Sequence, residues 1–93
     1  MSTTLQRSPT LDELIAAEPQ LAELFVNART HRRACSMRMR PVSPVVWRRY
    51  STRIRQLVSF HRDHRPGSPV GSDGAADVLL GALLRALGLG AGR

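Results

Sequence analysis

Between Ser43 and Asp63 the chain reads SPVVWRRYSTRIRQLVSFHRD, and its apolar residues keep a 3.6-residue period throughout. Val46, Trp47, Tyr50, Ile54, Leu57 and Val58 fall on one face of a helical wheel. Arg48, Arg55 and Arg62 recur every seven residues on the opposite side, and Arg49 and Arg53 flank the apolar face. Ser43 is placed to cap this helix, with Pro44 at the first position, where its missing N–H costs nothing. A long helix with a single apolar face commits the chain to a mostly α fold and demands other helices to cover that face.

Two such helices are expected. Thr10 with Glu13 three residues later is a capping box, and Leu11, Leu14 and Ile15 follow at helical spacing. Pro19 either kinks this helix or starts a second one. Leu21, Leu24, Phe25 and Ala28 continue the apolar stripe, giving a helical unit over about residues 11–33, acidic at its start and basic at its end. After the turn-forming run RPGSPVGSDG, Ser72 or Asp73 is placed to cap a last helix, about Ala75 to Leu87, closed by Gly88. Val78, Leu79, Leu80, Leu83, Leu84 and Leu87 make it apolar on most sides, so it must be buried on several faces. Ninety-three residues form one small domain with little surface to spare for that purpose, and a dimer would supply more.

Charge is distributed unevenly. Residues 1–28 carry a net −3, residues 66–93 a net of zero, and residues 29–65 hold eleven Arg against Asp63 alone. The +10 segment points to an anionic partner or to an acidic tail docking on it. All fourteen basic residues are Arg, which matches a GC-rich coding bias as well as phosphate binding and so decides nothing.

Residues 36–42, SMRMRPV, have period two, with Met37 and Met39 on one side and Ser36, Arg38 and Arg40 on the other. This predicts a short strand, limited by Pro41 to an edge or an end and needing a partner from another chain. Strand, helix, glycine-containing loop and capped second helix together resemble the ribbon-helix-helix DNA-binding fold of Arc- and MetJ-type repressors, over about residues 36–89. The resemblance implies a dimer with paired ribbons. Ser36, Arg38 and Arg40 would read the major groove, and Met37 and Met39 would face the core. Trp47, Ile54, Leu80 and Leu84 complete the expected dimer or core set. The loop and first helix are longer than in that family, and Asp73 and Asp77 lie where phosphate should approach.

His31 and Cys35, four apart, and His61 and His64, three apart, have spacings that suit zinc. Arg32, Arg33, Arg62 and Arg65 surround them and would repel a cation, so no metal site is expected. His61 lies on the apolar face and reads as a packed core residue. The four aromatics (Phe25, Trp47, Tyr50, Phe60) read as core as well. No nucleophile–base order stands out, and GLGAG near the C-terminus lacks the strand and helix of a phosphate loop. Neither enzyme activity nor a cofactor is expected.

Residues 1–9 are expected to be disordered, 10–34 to form an N-terminal helical extension open to a protein partner, 35–89 the basic domain and 90–93 a tail. With a lone cysteine, no leading apolar run and no apolar stretch of membrane length, the chain reads as cytoplasmic and without membrane contact. The expected function is a small DNA-binding regulator of duplex DNA, acting as a homodimer and using Arg48, Arg49, Arg53 and Arg55 besides the ribbon. The alternative is a protein-interaction module, an inhibitor or adaptor with a basic face, built as a monomeric helical bundle.

Overall fold

The computed structural model describes residues 8–89, and they form four α-helices and one 3-10 turn: α1 Leu11–Ala17, α2 Pro19–Met37, α3 Pro44–His64, the turn Pro69–Gly71, and α4 Ala75–Leu87. No described helix is long and apolar enough to cross a membrane. The expected disorder of residues 1–9 and the tail at 90–93 fall largely outside the described residues.

Local chemistry sets most of the boundaries. Thr10 closes its capping box, accepting from the Glu13 N–H at 3.2 Å while its own N–H donates to Glu13 Oε1 at 2.8 Å. Pro19 begins a second helix: lacking an N–H it cannot continue α1, and it sits at the first position of α2. Glu18 ends α1 and caps α2, its carboxylate accepting from the Gln20 N–H at 3.1 Å. The cap of α4 is Gly74, with φ 88°, rather than Ser72 or Asp73; Ser72 contributes through its carbonyl, which accepts from the Ala75 N–H.

The strand expected at residues 36–42 does not form, and among the described residues there is no strand at all. The ribbon-helix-helix resemblance is therefore overturned, since that fold requires a β-ribbon. Ser36 and Met37 belong to the last turn of α2, Arg38 is its C-cap, and Arg40 starts the connector to α3. Arg40 N–H donates to the Cys35 carbonyl at 2.8 Å and Met39 N–H to that of Ser36 at 3.0 Å, the pair of bonds that defines a Schellman end. Met39 occupies the left-handed position of that motif, φ 55°, usually taken by glycine. Met37 and Met39 are 80% and 91% exposed, not core residues.

Helix α4 lies at the centre. It packs against α2 and α3 and also meets α1 and the 3-10 turn, whereas α2 and α3 touch each other only sparingly. Leu14, Leu21, Phe25, Ile54, Val58, Val70, Leu79, Leu83 and Leu87 make a single core drawn from every element. The apolar helix that asked for a second chain is thus covered largely within its own, with Leu80 and Leu84 half-buried. Of the remaining expected core residues, Ile54 is fully buried and Trp47 half-buried. With the ribbon absent and α4 covered, both structural reasons for a dimer lapse. The arrangement is the helical bundle held as the alternative.

The 3-10 turn is pressed onto α3. A Cβ on Gly71 would lie 2.7 Å from the Arg62 backbone nitrogen, so only glycine allows this approach, and Val70 fills the space beneath with no exposure.

Candidate functional site

Helix α3 carries five of the eleven Arg of residues 29–65 and sorts them into two rows. At 100° per residue, Arg48, Arg55 and Arg62 fall on one flank of its solvent side and Arg49 and Arg53 on the other, about 140° away. Between the two rows runs a mostly uncharged strip of Val45, Thr52, Gln56 and Ser59, closed at its far end by Asp63. All of these side chains are exposed. Helix geometry produces this directly: the core takes Val46, Ile54, Leu57, Val58 and His61, leaving the opposite half of the surface to polar residues. Arg53 is steadied by donating to Gln20 Oε1 of α2.

Among the described residues the only ion pair is His61–Glu18. No described Arg comes within 4.0 Å of a carboxylate; Glu23 of α2 is an acidic neighbour of one row, lining a cleft of about 440 Å³ with Arg49, Thr52, Arg53 and Gln56. The expected base readers, Ser36, Arg38 and Arg40, are exposed at the α2–α3 tip, beside the first turn of α3. Arg38 and Arg40 line a cleft there of about 330 Å³ together with His31, Cys35 and Ser43.

His61 is 1% exposed and has both ring nitrogens engaged. Its Nε2–H donates to Glu18 Oε1 at 2.7 Å; Nδ1 lies 2.8 Å from Ser68 Oγ, which also accepts from the Val70 N–H at 3.2 Å. Because a carboxylate only accepts, Nε2 carries a proton toward Glu18, and Nδ1 and the Ser68 hydroxyl share the second hydrogen bond. The His61 hydrogen bond holds the Glu18 carboxyl below its ordinary value, outweighing the opposing effect of burial.

Ser68, His61 and Glu18 share the residue types of a hydrolytic triad, but His61 is buried and neither it nor Ser68 lines the clefts along α2, α3 and α4. The network joins three segments, the α1–α2 junction, the end of α3 and the 3-10 turn. It acts as an internal clamp. It also removes His61 from the zinc candidates. No group of three or more potential metal ligands exists among the described residues: His31 and Cys35 sit half-buried on α2, and exposed His64 packs beside Phe60 at 4.9 Å.

Phe60 itself is 47% exposed, contrary to its expected core place, with the Arg65 guanidinium 5.7 Å from its ring centre. It lines a cleft of about 460 Å³ between the α1–α2 junction and α3, together with Ala17, Pro19, Leu57 and Arg65. The Glu18–His61 pair, 43 residues apart, was likewise missed; its one local signal was a histidine in the middle of an apolar face.

Family models, curated proteins and solved structures give no match to this chain.

Proposed function

We propose that the protein is a DNA-binding regulator that lays the solvent face of α3 along the major groove of a duplex. The observation that supports this is the pair of exposed Arg rows, with no ion pair within 4.0 Å, bordering a mostly uncharged strip. An α-helix with its side chains is about 10–12 Å across and the major groove about 12 Å wide. In that seat the two rows face the two phosphate backbones, where guanidinium forks bind well. Thr52, Gln56 and Ser59 face the base edges, with hydroxyl and amide groups able to donate and accept. Arg48, Arg49, Arg53 and Arg55 lie within about two turns of helix. Arg62 and Asp63 lie beyond, where a straight helix leaves a curved groove.

A second reading, an adaptor or inhibitor that docks on an acidic protein surface, is favoured by the α2–α3 tip. There Met37, Met39 and Val45 are exposed among Arg33, Arg38 and Arg40, an amphipathic composition suited to a protein contact.

A residue-resolved NMR titration of the full chain with a short duplex separates the two. Groove docking shifts the amides of residues 45–60 and leaves residues 36–40 nearly unmoved. Shifts confined to the tip, or none at low salt, overturn the DNA reading.

A further inference from the structure

A cleft of about 220 Å³ opens on another side of the molecule, between α1, α2 and α4, and no α3 residue lines it. Its apolar lining is Leu11, Phe25, Ala82 and Ala86; the remaining three lining residues are Arg29, Arg32 and Arg85. The cluster draws on two helices. Arg29 and Arg32 stand three apart on α2, and Arg85 comes from the last turn of α4. No carboxylate lines the cleft, and none lies within 4.0 Å of these guanidiniums among the described residues.

A structural explanation exists for part of this charge. Arg85 lies in the last turn of α4, and Arg32 lies against Gly88, its Nε 2.7 Å from where a Cβ would stand. Cations are favoured there because a helix end carries about half a negative charge. Half a charge does not balance three guanidiniums, and Arg29 lies outside that role. The three exposed guanidiniums line one cleft over an apolar floor, so an anion seated there meets all three positive charges at once.

We propose that this cup binds a small anion with an apolar body: a phosphate or carboxylate held by the Arg cluster, with a ring or short alkyl group against Phe25, Leu11, Ala82 and Ala86. Guanidinium forks match phosphate and carboxylate oxygens in pairs, and the small side chains of Ala82 and Ala86 leave the space for the apolar part. The volume admits one such group, not a polymer. The site is independent of the α3 surface and does not depend on it.

The test is an NMR titration of the full chain with three probes: phenyl phosphate, inorganic phosphate and phenol. Phenyl phosphate should shift the amides of Leu11, Phe25, Ala82 and Ala86 and bind at least about tenfold more tightly than either fragment, since only it uses both halves of the cup. Arg29→Gln with Arg85→Gln should weaken it about tenfold or more while leaving the far-ultraviolet dichroism unchanged. Ala86→Leu, which fills the floor, should weaken phenyl phosphate more than inorganic phosphate. Equal binding of phenyl phosphate and phosphate, shifts located elsewhere, or an undiminished affinity in the double Arg variant would overturn the proposal. So would displacement of a bound DNA duplex by phenyl phosphate, which would make the cup part of the α3 interface.

Discussion

Replacing Glu18 tests the clamp that joins α1–α2, α3 and the 3-10 turn. In Glu18→Ala the His61 Nε2–H, 1% exposed, loses its acceptor, which costs about 1–3 kcal/mol. The same change removes the cap on the Gln20 N–H, worth about 1 kcal/mol. The sum, about 2–4 kcal/mol, is a large share of the roughly 5–14 kcal/mol available to a chain of this length. Glu18→Gln keeps an amide oxygen for His61 but cannot accept a second bond from Gln20 while its nitrogen only donates. It should therefore lose about 1 kcal/mol at neutral pH. The pH dependence has a definite sign. The folded carboxyl of Glu18 titrates below its ordinary 4.5, so its contribution is complete above about that pH and is lost as pH falls through the lowered folded value. The gap between the parent and Glu18→Gln should therefore narrow as pH falls from 5 toward 3. Urea unfolding of parent and both variants across pH 3–7 measures this. A cost below about 0.5 kcal/mol in Glu18→Ala, or a parent-to-Gln gap constant with pH, would refute the clamp.

Other substitutions read the remaining joints of the fold. Met39→Gly relieves a side chain in the left-handed region and should stabilise by about 1 kcal/mol, raising Tm by about 4–8 °C. Gly71→Ala places a Cβ against the α3 backbone and should destabilise by about 1–3 kcal/mol in a thermal melt. Met37→Asp and Met39→Asp, which would have unfolded a ribbon dimer, alter only exposed side chains and should melt within about 0.5 kcal/mol of the parent.

The helices were legible where apolar spacing and caps agreed. Thr10 and Glu13 marked the start of α1, and the stripe from Val46 to Val58 gave α3 its buried face. The one failure of type came at the end of α2. Both α2 and α4 finish with the same two hydrogen bonds, but α4 announces its end with Gly88 while α2 places Met39 there. Without glycine, Met-Arg-Met-Arg reads as period two, and a helix end becomes a strand. The charge excess on residues 29–65 was visible in composition. Its two rows on α3 were visible in the helical spacing of Arg48, Arg55 and Arg62 against Arg49 and Arg53, whereas the cup that brings Arg29 and Arg32 beside Arg85 was not, because it depends on how α2 and α4 pack. The Glu18–His61–Ser68 contacts were invisible for the same reason: they join segments far apart in sequence, and only packing brings them together.

The most direct measurement of the central claim is the salt dependence of duplex binding, followed by fluorescence anisotropy. If Arg48, Arg49, Arg53 and Arg55 each neutralise a phosphate, log K against log salt has a slope of about −3.6, and affinity drops about 150-fold between 50 and 200 mM salt. Arg48→Gln with Arg55→Gln should bring the slope to about −1.8, because two of the four contacts are gone. A parent that does not bind duplex at 50 mM salt, or a double variant with an unchanged slope, would contradict the assignment of α3 as the DNA-binding helix.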